Sequence, residues 1–331
     1  MERYLEGKVA IVTGSGQGVG RGIAIYLARQ GAKVITNNRK PGSASCQMYK
    51  KDDMPEEEYN KMLALKGDAE STARQIIEEG GEATPFYGDV SDYDTAGRMV
   101  KTAVDTYGRI DIIVNNAAGL GQGTIVNTTE ADWDYMTLAK MKGAYNTMHH
   151  AVPYMIEQGF GRILNSASDA WTGMANLCAY SAANSGIVGL TKAAAKELAN
   201  KGITVNAYCP QAASPGHVVE FNKTIRSLEK ALGKNMNANP EKMKQVEKDH
   251  GPAENAAPFL AYLCTEEAAY ISGAVFSVKA SGKIDVYCEA ERIKQISKED
   301  EPWSVKELID QVPSTLLEGY KSIANVNAWK G

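Results

Sequence analysis

Short apolar runs alternate with longer amphipathic segments over most of the chain. The apolar runs predict strands at residues 8–13, 33–36, 110–116, 161–166, 202–208 and 274–278. The helical spacing of apolar positions predicts helices at residues 19–30, 68–79, 92–107, 130–158 and 180–201. Short apolar strands separated by helices are typical of parallel strands joined by right-handed crossovers. The sequence therefore predicts an α/β fold with a doubly wound parallel sheet, whose ligands bind at the carboxyl ends of the strands.

Three segments do not fit this alternation, and we interpret them as additions to the sheet. Residues 41–66 are polar, rich in Lys and Glu, and separate the second strand from its helix. Residues 212–250 carry many lysines and one weak amphipathic pattern. Residues 283–331 follow the last strand, and P-W-S-V-K-E-L-I predicts a helix there that begins at Pro302 or Ser304. We expect this C-terminal extension to pack on the core or on a neighbouring subunit.

The composition narrows the class of protein. Hydrophobic residues make up 44% and charged residues 23% of the chain, as in an ordinary globular protein. A net charge of −4 provides no basic field for nucleic acid. No apolar run approaches the roughly 18 residues that cross a bilayer, and the first residues leave no room for a signal peptide. Five scattered cysteines without a C-x-x-C pair predict reduced thiols, a cytoplasmic protein and no metal site.

A glycine-rich turn follows the first strand and opens the first helix. Its sequence is V-T-G-S-G-Q-G-V-G. Glycines let the backbone turn sharply and approach a pyrophosphate, which then meets the free N–H groups of the helix N-terminus. The residues predicted to bind a dinucleotide here are Gly14, Ser15, Gly16, Gly18, Val19 and Gly20.

Further motifs occur in the same order as in a known family. They are T-G-x-x-x-G-x-G at 13–20, G-D-V at 88–90, N-N-A-A-G at 115–119, and I-T-V-N-A followed by Pro210. Over about residues 5–282 the chain resembles the short-chain dehydrogenase/reductase family. It is similar to the (3R)-hydroxyacyl-CoA dehydrogenase branch of peroxisomal-type multifunctional enzymes in its extended loop after the second strand, in N-A-Y-C-P-Q-A-A-S, and in the continuation of the last strand into G-K-I-D-V-Y.

The resemblance implies a single Rossmann-type domain over residues 1–282 that binds a nicotinamide cofactor and a small-molecule substrate. Residues 212–250 would then form a lid over the substrate. The positions that the family motifs assign to the cofactor are Asp89 and Val90 at the adenine, Asn116 and Ala117 along one side, and Pro210 near the nicotinamide. Relatives associate through the helices near 130–158 and 180–201, so we expect a homo-oligomer, a dimer or a tetramer.

The end of the second strand bears on which nicotinamide cofactor is bound. Members that prefer NAD(H) usually carry an acidic residue there, whereas this chain has Asn38 followed by Arg39 and Lys40. A neutral residue next to cations suits a 2′-phosphate, because charge-assisted pairing is stronger than neutral hydrogen bonding. The sequence therefore favours NADP(H), with NAD(H) as the alternative.

The catalytic pattern of the family is present with one departure. Tyr180 matches the general acid/base, and Ser168 matches the serine that holds the substrate oxygen. Ser166 is an alternative, because the family interval falls between the two serines. A lysine is expected four residues after the tyrosine, and this chain has Asn184 instead. An amide carries no charge to lower the pKa of a tyrosine, although it can bind the ribose.

A lysine stands where the family has an asparagine on the neighbouring helix. Gly143 matches the glycine that follows this asparagine by three residues, which places Lys140 at its position. The two residues thus exchange places, and Lys140 is predicted to supply the missing ammonium from across the site. The alternative is that Lys140 is an ordinary surface lysine like Lys142.

Two functions remain open from the sequence. The first is an active oxidoreductase that interconverts a secondary alcohol and a ketone on a hydrophobic or acyl-thioester substrate. The second is a catalytically inactive relative that pairs with an active partner in a hetero-oligomer. The loss of the lysine motivates the second function, and the intact glycine turn with Tyr180 favours the first.

Overall fold

An eight-stranded sheet lies at the centre of the first of two structural units, Met1–Tyr287, in the computed structural model. The structure describes residues 3–42, 50–214, 219, 245, 248–299 and 301–319. The strands are β1 Val9–Val12, β2 Lys33–Asn38, β3 Ala83–Tyr87, β4 Ile112–Asn115, β5 Gly161–Ser166, β6 Ile203–Gln211, β7 Val275–Lys279 and β8 Ile284–Val286. Their order is β3-β2-β1-β4-β5-β6-β7-β8, and only β8 runs antiparallel to its neighbour. The predicted doubly wound parallel sheet is confirmed.

Helices cover both faces of this sheet. In the described part of the first unit they are α1 Gly18–Arg29, α2 Glu56–Ala64, α3 Ala69–Glu78, α4 Tyr93–Tyr107, α5 Glu130–Thr137, α6 Gly143–Gln158, α7 Cys178–Leu198 and α8 Ala257–Tyr262. Apolar side chains of α1, α3 and α8 pack on one face, and those of α4, α6 and α7 pack on the other. Strands β1 and β4 are buried throughout, because both of their faces are covered.

Two features of the chain differ from the expected elements. β3 was absent from the sequence prediction: its residues are only partly buried and include Pro85, as suits a strand at the edge of a sheet. The helix expected over 130–158 is interrupted by a π-helical turn at Leu138–Lys142 between α5 and α6. Such turns are rare and often lie at functional sites.

The described parts of the added segments contain short helices. Residues 50–66 include α2, and most of the expected lid over 212–250 lies outside the described residues. The second unit, Cys288–Gly331, contains a helix at Val305–Gln311, named α9. Ser304 caps it, as the sequence predicts for one of its two starting points, and Glu307 bonds back to the Ser304 N–H. Within the described residues, no helix is both long and apolar enough to cross a membrane.

A buried polar network joins the strands on either side of the sheet centre to the helices above them. Asn115 Nδ2 on β4 donates to Asn165 Oδ1 on β5 at 2.9 Å, and Asn165 Nδ2 donates to Thr191 Oγ1 on α7 at 3.0 Å. Thr147 Oγ1 on α6 donates to Asn115 Oδ1 at 2.5 Å. Because these groups are excluded from water, the bonds of Thr147 and Thr191 fix α6 and α7 relative to the sheet, and the bond between the two asparagines links β4 to β5.

We expect Thr147→Val to lower the free energy of unfolding by about 1–3 kcal/mol, because it leaves the buried Asn115 Oδ1 without its donor. The free energy would be measured by urea denaturation. Thr102→Val on α4 is the control, since the Thr102 hydroxyl is exposed and bonds only a carbonyl of its own helix. Equal destabilisation by the two substitutions would contradict this account of the network.

Candidate active site

The glycine turn between β1 and α1 lies at the carboxyl end of the sheet. Gly14 and Gly18 have φ values of 61° and 53°, in the left-handed region that favours glycine. A Cβ on Gly14 would lie 3.0 Å from Ala117 Cα, and a Cβ on Gly16 would lie 2.6 Å from Asp68 Cα. The turn is therefore a cradle without side chains at the N-terminus of α1, which fits a pyrophosphate.

The neighbouring strand β4 is tied to this turn by one threonine. Thr13 Oγ1 accepts from the backbone N–H groups of Asn116 at 2.9 Å and Ala117 at 3.0 Å. The Asn116 side chain in turn donates to the carbonyls of Thr13 and Gly14, at 3.2 and 3.3 Å. Because the strand order reverses between β1 and β4, these contacts shape the crevice in which doubly wound sheets bind their ligands.

Gly14 and Ser15, two of the residues expected at the cofactor, are hydrogen-bonded to Asn37 of β2. The Ser15 hydroxyl accepts from the Asn37 N–H at 2.8 Å and is fully buried, so its side chain faces the sheet. Asn37, which sequence reasoning did not select, accepts from the Gly14 N–H at 3.3 Å and donates to the Gly88 carbonyl at 3.1 Å. Val19 is partly buried against the core of the α1 face. Ser15 and Val19 can therefore meet a cofactor through their backbone.

The residues expected at the adenosine end come together at the ends of β2 and β3. Asn38 is buried at the end of β2 and its carbonyl accepts from the Gly88 N–H at 2.8 Å, while Arg39 is exposed. Asp89 accepts from the backbone N–H and the hydroxyl of Ser91, at 2.9 and 2.7 Å. Asn38 and Asp89 thus lie at the carboxyl edge of the sheet, at the end of β2 and in the loop after β3.

Val90 and Pro210 occupy two other places along this edge. Val90 is buried, and its carbonyl accepts from Asn146 Nδ2 of α6 at 2.9 Å. Pro210 lies near the end of β6, opposite Val278 of β7, and is partly buried. The predicted cofactor positions therefore line the carboxyl ends of β1, β2, β4 and β6 and the loop after β3.

Tyr180 lies in the first turn of α7, with Ser168 and Asn184 beside its phenol. Burial raises the pKa of Tyr180, and the polar Ser168 and Asn184 side chains near the phenol oppose this rise without cancelling it. Ser166 is placed differently, since its hydroxyl bonds the buried Tyr208. The structure thus brings Ser168, rather than Ser166, to the tyrosine.

Asn184 is fully buried one helical turn after Tyr180. Its Nδ2 donates to the Tyr180 carbonyl at 2.7 Å. Its Oδ1 is buried and has no hydrogen-bond partner in the part of the chain that the structure describes. A buried acceptor without a donor is costly. A ribose hydroxyl would satisfy it, so this atom and the glycine cradle both fit a bound dinucleotide.

Lys140 is buried in the π-helical turn, with 3% of its surface exposed. Its Nζ donates to the Ser166 carbonyl at the end of β5 at 2.7 Å. Burial lowers the pKa of Lys140 to about 8, because the ammonium loses its hydration. Lys142, two residues on, is exposed. Lys140 therefore does not lie on the surface. The carbonyl that holds its amine belongs to Ser166, two residues before Ser168 along the chain.

Asp169 is a residue of this site that sequence reasoning missed. It follows Ser168, and its carboxylate accepts from Gln211 Nε2 at 2.5 Å, Ser277 Oγ at 3.2 Å and Tyr287 Oη at 2.7 Å. These donors come from β6, β7 and the residue after β8, so Asp169 ties the Ser168 loop to the distal strands. Only its position next to the serine could have indicated it.

Comparisons with known proteins agree with this geometry. A family profile described as short chain dehydrogenase matches residues 52–226. A 3-oxoacyl-[acyl-carrier-protein] reductase FabG of Thermotoga maritima is 30% identical over 83% of this chain and 97% of its own length. The (2S)-[(R)-hydroxy(phenyl)methyl]succinyl-CoA dehydrogenase subunit BbsD of Thauera aromatica is 34% identical over 62% of this chain and 73% of its own length.

The similarity extends to the predicted branch and to a solved structure. Peroxisomal multifunctional enzyme type 2 of Drosophila melanogaster is 33% identical over 64% of this chain, which spans 32% of that longer protein. The crystal structure of a short chain dehydrogenase from Mycobacterium avium superimposes with a TM-score of 0.71 at 30% identity, over 95% of each chain.

The depressed pKa of Lys140 predicts how stability depends on pH. The amine loses its proton near pH 8 in the folded chain and near 10.5 in the unfolded chain, so the unfolded state binds more protons between these values. The resulting penalty on folding, about 3 kcal/mol, is present below pH 8 and is relieved as the pH rises towards 10.5. Relative to Lys140→Met, the native protein should therefore gain stability over this range, as measured by urea denaturation at several pH values.

Lys142→Met is the matched control, because the exposed Lys142 should give a difference from the native protein that stays constant with pH. A constant difference for Lys140→Met as well would contradict the burial of a titrating amine.

Proposed function

The chain belongs to the short-chain dehydrogenase family, and on that premise we propose that it is an NADP(H)-dependent oxidoreductase that interconverts a secondary alcohol and a ketone. We propose a hydrophobic or acyl-thioester substrate, which the names of the reductase, succinyl-CoA dehydrogenase and multifunctional relatives support. The observation that carries the proposal is the convergence of Ser168 and Asn184 on the Tyr180 phenol, at the sheet edge that holds the glycine turn.

The proposed mechanism assigns one role to each side chain. When bound, the nicotinamide ring supplies or accepts the hydride. Ser168 holds the substrate oxygen, and the Tyr180 hydroxyl exchanges a proton with it. The glycine turn and the Asn184 Oδ1 hold the cofactor. Asn116 and Ala117 border the same crevice, at the end of β4.

Lys140 has the properties that the mechanism needs from a cation. Burial leaves the Tyr180 pKa above its ordinary value, so the phenol needs a positive charge to ionise near neutrality. The Lys140 amine is buried, is held at the end of β5 and exchanges its proton near pH 8. A charge a few ångströms away in such surroundings lowers the pKa of a phenol by about one to two units. We therefore assign to Lys140 the role of the lysine missing four residues after Tyr180.

Lys140→Ala should lower kcat for NADPH oxidation by about 10- to 100-fold, because the phenol loses its cation. Lys142→Ala, which removes an exposed lysine two residues away, should leave kcat close to that of the native protein. The assay uses the purified chain alone with a panel of 3-oxoacyl thioesters and hydrophobic ketones. If the two variants lose activity equally, or neither does, Lys140 does not act on Tyr180.

The preference for NADP(H) is assigned to the end of β2. Asn38 brings no negative charge there, and the exposed Arg39 is free to meet a 2′-phosphate. Arg39→Ala should weaken the binding of NADPH by about tenfold and leave that of NADH unchanged, as one charge-assisted contact is lost. The dissociation constants would be measured by fluorescence titration.

Lys51→Ala removes an exposed lysine from the polar insertion that follows Arg39 and serves as the control. An equal loss of affinity for both nucleotides in Arg39→Ala would contradict recognition of a 2′-phosphate.

The second candidate function is that of an inactive subunit paired with an active relative. Within the described residues the Lys140 amine donates to the Ser166 carbonyl and not to the Tyr180 hydroxyl, and Asn184 carries no charge. A relative named as a dehydrogenase subunit also favours it. An inactive purified chain that gains activity from Asn184→Lys combined with Lys140→Asn would support this candidate over the first.

We propose that the protein acts in the cytoplasm as a homo-oligomeric dimer or tetramer. Large apolar side chains are exposed along α5, the π-helical turn and α6, and association through these helices would cover them. They are Trp133, Leu138, Tyr145, Tyr154 and Ile156. The four cysteines that the structure describes are free, which suits a reducing compartment. We also retain the proposal that the C-terminal extension packs on the core or on a neighbouring subunit.

A further inference from the structure

The polar insertion after β2 returns to the sheet beside the glycine turn. Gly67 and Asp68 follow the insertion and precede α3, and Asp68 caps that helix. A Cβ on Gly16 would lie 2.6 Å from Asp68 Cα and would overlap the Asn38 side chain. Asp68 therefore stands next to both the glycine turn and the end of β2.

The Asp68 carboxylate is held in a fixed orientation. Its Oδ1 accepts from the Ser71 N–H at 2.9 Å, and its Oδ2 accepts from the Gly42 N–H and the Tyr87 hydroxyl, each at 3.1 Å. Burial alone would raise the pKa of Asp68, but these hydrogen bonds outweigh it and hold the pKa below its ordinary value. The group is thus a carboxylate at neutral pH.

The end of β2 is where dinucleotide-binding folds place the acid that accepts from the ribose 2′-hydroxyl. Here that position is the neutral Asn38, and Asp68 brings a negative charge to the same side of Gly16. The carboxylate has lone pairs left after its three hydrogen bonds. A ribose hydroxyl can donate to it, whereas a phosphate at the same place is repelled.

The surrounding charges do not remove this effect. Arg21 of α1 is attracted to Asp68, but its guanidinium donates to Ser71, Thr72 and Gln75 of α3. Glu70, two residues on, is exposed, so solvent and salt screen its charge. Arg39 and Lys40 follow Asn38, and their positive charges oppose the repulsion of a 2′-phosphate by Asp68.

We propose that Asp68 is a specificity-determining residue of the adenosine end, which acts against a 2′-phosphate in place of the acid absent at Asn38. This inference rests on the dinucleotide binding of the proposed function. It implies that the preference for NADP(H) is the balance between the positive Arg39–Lys40 pair and the Asp68 carboxylate at the start of α3.

Asp68→Asn tests the proposal, because asparagine keeps the oxygen that caps α3 and removes the negative charge, together with the acceptor for the Gly42 N–H. The ratio of the dissociation constants of NADH and NADPH, measured by fluorescence titration, should shift about tenfold towards NADPH, and the shift should shrink at high salt. Glu70→Gln removes a charge from the same helix at an exposed position and should leave the ratio unchanged.

A ratio unchanged in Asp68→Asn, or shifted equally in Glu70→Gln, would overturn the inference while leaving the proposed function intact. If the native chain binds neither nucleotide, the proposed function fails, and this inference fails with it. Thermal unfolding of the variants shows whether the helix cap has been kept.

Discussion

The burial of the Lys140 amine is the constraint on which the rest of the candidate site depends. An amine with 3% exposure needs a partner, and it finds one in the Ser166 carbonyl at the end of β5. The π-helical turn brings Lys140 to this carbonyl between two regular helices. The same strand continues into Ser168 and Asp169, so the position of the amine and that of the serine loop are linked through a few residues of backbone.

Polar contacts between residues that are far apart in sequence hold the crevice in shape. Thr13 ties the end of β4 to the glycine turn, and Asn37 ties that turn to β2 and the loop after β3. The Asn115 and Asn165 pair does the same beneath α6 and α7. These bonds are buried or partly buried, so the loops that carry the candidate residues are fixed to the sheet by groups largely shielded from water.

Sequence patterns predicted the elements whose structure depends mainly on neighbouring residues in the chain. The apolar runs located all the buried parallel strands, and the motifs of the glycine turn and N-N-A-A-G led to a family that the comparisons confirmed. They failed for β3, whose half-buried residues lack an apolar run, and for the π-helical turn, which keeps the spacing of an unbroken helix. Asp169 and Asp68 were missed because their partners are remote. Tyr287 lies 118 residues from Asp169, and Tyr87 reaches Asp68 only through the pairing of β2 and β3.

The proposed exchange of lysine and asparagine changes what sets the distance between cation and phenol. When both groups lie one turn apart on a single helix, the helical rise fixes their separation at about 6 Å. Here the amine comes from the π-helical turn and the phenol from α7, so their separation depends on how closely these elements pack. Gly186 permits that packing, because a Cβ there would lie 3.3 Å from Met141 Cγ and would overlap its sulfur. The acidity of Tyr180 would then be set by the tertiary contacts between these two elements.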